Sequence, residues 1–274
     1  MPEDVLCVAE KPQCIRLQQY IGENMWRFYY TIARNIVILP KLIETMHCKT
    51  DQPEKYSEQD RYEYVQSIVD LMQKTGHIRT EGYGMENLPK EGGYMLYPNH
   101  QGKYDAYGIV AVHPKPCTVV MDKAKSYMVF FSEIIDTLRG KRLDIHDTRQ
   151  ALTIINEIAK EVAEGRRYIL FPEGGYAKNQ KNTLGEFKPG CFKIVLKSKV
   201  PIVPVALIDS YKVFNSWQLT PVTTQVHFLE PIYYEEYKNM KTVQIAEMVK
   251  ERIQQKLDEV AAKQNRKWAR CKMR

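Results

Sequence analysis

Apolar positions recur at two spacings along this chain, and the switch between them divides it. From Asn24 to Met46, Trp26, Phe28, Tyr29, Tyr30, Ile32, Ile36, Val37, Ile38, Leu39, Leu42 and Ile43 surround Arg27, Arg34 and Lys41, which are seven residues apart. Seven residues make about two helical turns, so these cations fall on nearly one face of an amphipathic helix, which Pro40 ends or kinks. After a polar break from His47 to Glu58, a second helical period runs from Gln59 to Lys74, with Tyr64, Val65, Ile68, Leu71 and Met72 on one face. From Gly76 onward strand and helix patterns alternate, which predicts an α/β domain. Strands are predicted at His77 to Tyr83, Gly93 to Tyr97, Cys117 to Met121, Tyr168 to Phe171, Ile202 to Asp209 and Thr223 to Leu229. Helices are predicted at Ala106 to Val112, Ser126 to Thr137, Thr148 to Ala163, Gly190 to Lys197 and Val243 to Ala262. With no internal repeat or low-complexity linker, the simplest division is an N-terminal helical, membrane-associating region, 1–75, and an α/β domain with a basic C-terminal helix or tail, 76–274.

Composition changes this picture in three places. At 274 residues and 44% apolar content the chain is long enough for a sizeable core. The net charge of +7 is uneven, because Lys263, Arg266, Lys267, Arg270, Lys272 and Arg274 close the chain with no acid from Ala261 onward. Such an end suits an anionic membrane, nucleic acid or simple solubility; the lack of a recognition motif, zinc spacing or aromatic-basic strand pattern argues against nucleic acid. The six cysteines include no C-x-x-C pair and no signal peptide opens the chain, so a reducing compartment is expected. A spanning helix needs about 20 apolar residues, and the longest uncharged run of the N-terminal stretch lies only between Arg34 and Lys41. That stretch fits a helix lying in the membrane interface, aromatics at headgroup level and cations on lipid phosphate, or equally a helix docked on the protein's own core.

Three stretches can carry chemistry. Tyr97 to Asp105 sets His100 five positions before Asp105, at a corner where a strand stops at Pro98 and a helix resumes. A carboxylate at the helix start can reach back to the imidazole, fix its tautomer and leave the other nitrogen free to take a hydroxyl proton. The plain alternative is a loop histidine beside a helix cap. Tyr168 to Tyr176 is an apolar strand ending in Pro172, Glu173, Gly174 and Gly175, where backbone amides can meet an anion and Glu173 can accept from a polyol; taken alone, a tight turn with an exposed acid is the plainer reading. Lys199 to Leu207 carries Pro201 and Pro204, suited to an irregular strand start in the wall of an apolar channel or to packing alone.

Together, Asn-His-x4-Asp at 99–105, Phe-Pro-Glu-Gly at 171–174 and Val-Pro-Ile-Val-Pro-Val at 200–205 resemble three of the four blocks of the PlsC-like glycerolipid acyltransferases, the 1-acylglycerol-3-phosphate acyltransferases. The resemblance runs in the family's order over roughly Gly82 to Pro231. It implies a mixed sheet flanked by helices with an N-terminal amphipathic extension, His100 as catalytic base and Asp105 as its partner. It also implies substrate binding by Asn99, Glu173, Gly174, Gly175, Pro201 and Pro204. The family's second block usually brings an arginine to the acceptor phosphate, but Ile145 occupies that slot, and Gly175 and Tyr176 stand where Thr and Arg usually follow. Arg142, Lys103, Lys178 and Lys188 are the cations available in their place.

The resemblance implies transfer of a fatty acyl group from acyl-CoA or acyl-carrier protein, as co-substrate and without a cofactor or metal, to a lysophospholipid hydroxyl such as that of lysophosphatidic acid. No G-x-S-x-G occurs, so direct transfer is expected rather than an acyl-enzyme, with backbone amides near Asn99 or Gly174 as oxyanion donors. A peripheral place at the cytoplasmic face of an anionic membrane follows. Glycerol 3-phosphate or another lysophospholipid as acceptor, a membrane-binding protein without catalysis, and a zinc hydrolase lacking H-E-x-x-H spacing are the rival readings.

Overall fold

The computed structural model describes residues 25–127, 130–176, 181–214 and 219–272. Lys178 lies outside the described residues, as do residues 1–24. Among the described residues seven strands form one mixed sheet: β1 (Ile78–Tyr83), β2 (Tyr94–Pro98), β3 (Thr118–Asp122), β4 (Lys141–Leu143), β5 (Arg167–Ile169), β6 (Ile202–Ile208) and β7 (Val222–Phe228). Their order is β1-β7-β6-β2-β5-β3-β4. The five strands from β6 to β4 run parallel, whereas β7 is antiparallel to β6 and carries β1 parallel at the edge. Every residue of β2 and β6 is buried, as two apolar runs covered on both faces require.

The helices cover the two faces as separate layers. One layer holds α1 (Trp26–Arg34), α2 (Leu39–Asp51), α3 (Glu58–Gly76), α4 (Asp105–Val112) and α5 (Phe131–Thr137) around a shared core with Phe28, Met46, Val65, Ile109 and Ile134. The other holds α6 (Thr148–Ala163), α7 (Lys193–Ser198), the short α8 (Tyr234–Tyr237) and α9 (Thr242–Lys272), packed through Ile158, Val195, Tyr237 and Val249. Helix starts follow local chemistry. Ser57 Oγ accepts from Asp60 N while Asp60 accepts from Ser57 N, and Asp147 Oδ1 accepts from the amides of Arg149 and Gln150.

The N-terminal stretch departs from its periodicity in two respects. The single helix expected from Asn24 to Met46 is two helices, and Pro40 lies in the first turn of α2 instead of ending or kinking a helix. A proline there has no helical hydrogen bond to lose and a φ already set for the helix. The three cations do not share an outward face, because Arg27 is fully buried. Its guanidinium donates from Nε to Val213 O (3.1 Å), from Nη1 to Gly76 O (2.6 Å) and from Nη2 to Thr220 O (2.8 Å). Arg34 and Lys41 remain exposed, together with Trp26, Tyr29, Ile36, Val37 and Ile38. No helix among the described residues is long and apolar enough to cross a membrane.

Candidate active site

The parallel strands β2 and β6 end side by side, and the loops that leave them meet. Loops at the carboxyl ends of such strands are where α/β sheets bind ligands. The loop after β2 carries His100, and Asp105 opens α4 with its side chain fully buried. His100 Nδ1 donates to Asp105 Oδ2 at 2.7 Å. The same oxygen takes the amides of Gln101 (2.5 Å) and Gly102 (2.9 Å), so the loop folds around the carboxylate. With the proton on Nδ1, Nε2 is the basic nitrogen, and among the described residues it carries no hydrogen bond. Phe171 stacks on the imidazole at 4.3 Å between centroids and Tyr176 meets it edge-on at 4.7 Å, which fixes the ring plane.

His100 opens onto a cavity of about 240 Å³. Its inner wall is apolar, with Val65, Val110, Ile134, Ile135 and Leu138, and its rim carries Lys103, Lys125 and Lys188 beside Gly174, Gly175 and Tyr176. The polypeptide turns at Gly174 with φ +68, and a β-carbon there would meet Lys188 Nζ at 2.6 Å. Glycine is therefore needed at this position for both conformation and space. Lys125 Nζ approaches the neighbouring Gly175 to 3.9 Å of where its β-carbon would stand. Two ammonium groups thus converge on one glycine turn, a suitable seat for an anion. Lys125 was not singled out in the sequence; its place just after β3 at the sheet's carboxyl end was the available signal. Cys191 also lines the cavity, but burial pushes its thiol up to about 11, so it is not a thiolate nucleophile at neutral pH.

Several expected ligands turn out to be committed elsewhere. Asn99 is buried and its side chain pairs with the backbone of Leu207, accepting at 2.7 Å and donating at 3.1 Å. Glu173 is 8% exposed; Oε1 accepts from His100 N (2.8 Å) and Oε2 from Gly185 N (2.9 Å), so the acid ties two loops together. Gly174 N donates to Phe171 O and closes the turn. Arg142 is absent from the cavity lining: its guanidinium forks onto Asp136 at 2.5 and 3.0 Å and reaches the hydroxyls of Ser126 and Ser132. Ile145 does line the cavity, as an apolar wall in the family's arginine slot. Lys103 lines it too, with Nζ 3.0 Å from Met25 Sδ ahead of α1.

The prolines do not shape this wall. Pro201 precedes β6 at the end opposite His100, where its carbonyl accepts from Met95 N. Pro204 pairs with Tyr97 inside the sheet, and its carbonyl accepts from Leu229 N where the β6–β7 ladder begins. A proline is tolerated at such a change of partner because few ladder donors are required there.

Known proteins resemble this chain over the same domain. Residues 79–208 match the acyltransferase family model. The chain is 29% identical over 185 residues to the 1-acyl-sn-glycerol-3-phosphate acyltransferase of Saccharomyces cerevisiae, covering 65% of this chain and 59% of the yeast protein. It is 29% identical over 161 residues to the alpha form of Mus musculus, covering 57% of this chain and 55% of the mouse protein. The matched region thus spans less than two thirds of either relative. Among solved structures, the 1-acyl-sn-glycerophosphate acyltransferase PlsC of Thermotoga maritima shares the fold, with a TM-score of 0.70 at 18% identity over 87% of this chain and 96% of that one. Sequence blocks, sheet topology and the matched domain point the same way: over residues 79–208 the chain carries an acyltransferase domain, similar to that of the PlsC-like glycerolipid acyltransferases.

Proposed function

We propose that the protein transfers a fatty acyl group from a thioester, acyl-CoA or acyl-carrier protein, to the free hydroxyl of 1-acylglycerol-3-phosphate, giving phosphatidic acid and a free thiol. The observation that carries this reading is the Nε2 of His100, without a hydrogen bond among the described residues, at the mouth of an apolar cavity, with Nδ1 held by a buried carboxylate. Nε2 takes the hydroxyl proton as the oxygen attacks the thioester carbonyl, and the proton passes to the departing thiolate when the tetrahedral adduct collapses. Asp105 orients the imidazole and stabilises the imidazolium between those steps. The acyl chain lies along Val110, Ile134 and Leu138, and the acceptor phosphate takes Lys125 and Lys188 at the Gly174 turn. These lysines serve where the family uses arginines, with Arg142 held by Asp136.

The exposed apolar residues where α1 meets α2, Val37 foremost at 89% exposure, dock in the headgroup region of an anionic membrane between Arg34 and Lys41. Residues 1–75 are then the membrane-associating region, and the enzyme is peripheral at the cytoplasmic face. Thioester consumption by the purified protein tests the reading, run against lysophosphatidic acid, glycerol 3-phosphate and lysophospholipids with substituted phosphates. Turnover on lysophosphatidic acid above the others is expected; consumption on none of them would refute the reading, and preference for a substituted phosphate would refute the assigned acceptor.

A further inference from the structure

We propose that Ser210 is a positioning residue for the His100–Asp105 pair, its hydroxyl holding the Asp105 carboxylate in the one orientation that keeps Oδ2 on the imidazole. Ser210 lies 105 residues beyond Asp105, in the turn Ser210–Lys212 that follows β6, and is 3% exposed. Its Oγ donates to Asp105 Oδ1 at 2.5 Å. The two carboxylate oxygens are unequally served: Oδ2 has three donors, His100 Nδ1 and the amides of Gln101 and Gly102, and Oδ1 among the described residues has this hydroxyl. The terminal torsion of an aspartate is broad and roughly two-fold, so a carboxylate held at one oxygen can still rock and carry that oxygen off Nδ1. A second donor on the other side stops this motion. The Asp105 side chain is fully buried, so removing the hydroxyl leaves Oδ1 without a partner in a place water does not reach.

Ser210 is itself held in place for this contact. Asp209 before it adopts a left-handed φ of +62, unusual for a residue with a β-carbon, and this turns the chain sharply at the strand end. Ser210 N donates to Gln101 Oε1 at 3.0 Å, and Gln101 Nε2 donates to Leu207 O at 2.8 Å. The residue next to His100 therefore grips the end of β6 from both sides and sets Ser210 beneath Asp105. Ser210 touches neither His100 nor the cavity, so it acts through Asp105.

The inference rests on the acyl-transfer reading, and its test is arranged so that the two can fail separately. Ser210→Ala and Ser210→Thr are made in the wild-type chain and in an Asp105→Asn background. Turnover, both KM values and the far-downfield NMR resonance of the His100 Nδ1 proton are recorded for each. Ser210→Ala is expected to lower kcat about tenfold with both KM values within about twofold, and to shift or broaden the resonance. Ser210→Thr, which keeps the hydroxyl, is expected to restore both; a tenfold loss in it overturns the proposal, and it carries the test if the alanine variant does not fold. In the Asp105→Asn background the alanine change is expected to cost less than about twofold, because residues acting as a unit are not additive. Unchanged kcat and resonance in Ser210→Ala, or an equal loss in both backgrounds, overturns the proposal. If the wild-type chain consumes no thioester, the acyl-transfer reading fails, while the resonance still decides whether Ser210 holds the pair.

Discussion

Replacing Glu173 by glutamine exchanges one carboxylate oxygen for an amide NH2 where both oxygens accept from backbone amides, His100 N at 2.8 Å and Gly185 N at 2.9 Å. Whichever way the new side chain turns, one NH2 group faces an N–H donor. One charge-assisted hydrogen bond is lost, worth about 1.5 to 3 kcal/mol, and its donor is left unpaired in a site only 8% exposed, at a further cost of about 1 to 3 kcal/mol. Partial relaxation brings the expected loss of unfolding free energy to about 3 kcal/mol, read by urea denaturation followed by circular dichroism. Because Glu173 ties the His100 loop to the Gly185 loop, loss of either bond loosens the base, and kcat falls by about 10-fold to 100-fold with no selective rise in KM for the acceptor. A variant within about 0.5 kcal/mol of wild type that raises only the acceptor KM would refute this, and would return Glu173 to the acceptor-binding role the resemblance implied.

The exposed shoulder at Val37 and the buried His113 each give a further expected outcome. Val37→Asp is expected to weaken association with anionic liposomes by about tenfold while leaving urea stability unchanged, since Val37 is 89% exposed; unchanged partitioning would remove the apolar shoulder from the membrane account. Burial holds the His113 imidazole at about 4, below its ordinary 6.5, with Nδ1 on Lys115 O and Nε2 on the Tyr94 hydroxyl. The unfolded chain therefore binds the proton first, and stability intact above about pH 6.5 falls with pH until about pH 4, by about 3 kcal/mol in all. Between about pH 7 and about pH 5 the wild type is expected to lose about 2 kcal/mol from this group and His113→Gln is expected to show a flatter slope; equal slopes would contradict it.

What the sequence disclosed and what it hid divide along sequence separation. The apolar runs of β2 and β6 and the amphipathic period of α6 are local patterns, and each appears where periodicity puts it. β4 escaped because three residues, Lys141 to Leu143, hold no alternation to read. His100 and Asp105 were legible as a pair because the geometry joining them spans five residues. Most of the corrections are long-range. Arg27 looked like a lipid-facing cation until carbonyls from Gly76, Val213 and Thr220 met it, and Asn99 looked available until Leu207 met it 108 residues later. Arg142 is taken by Asp136 across only six residues, but that pairing needs the turn between α5 and β4, which no motif announces. Ser210 lies outside every recognised block, since only the fold brings it to Asp105.

The central claim is that His100 Nε2 removes the acceptor's proton, and turnover of His100→Ala with acyl-CoA and lysophosphatidic acid tests it most directly. With urea stability and circular dichroism like those of wild type, kcat is expected to fall by about 100-fold to 10,000-fold, the contribution of a positioned general base. A correctly folded His100→Ala that keeps turnover near the wild-type rate would contradict the account.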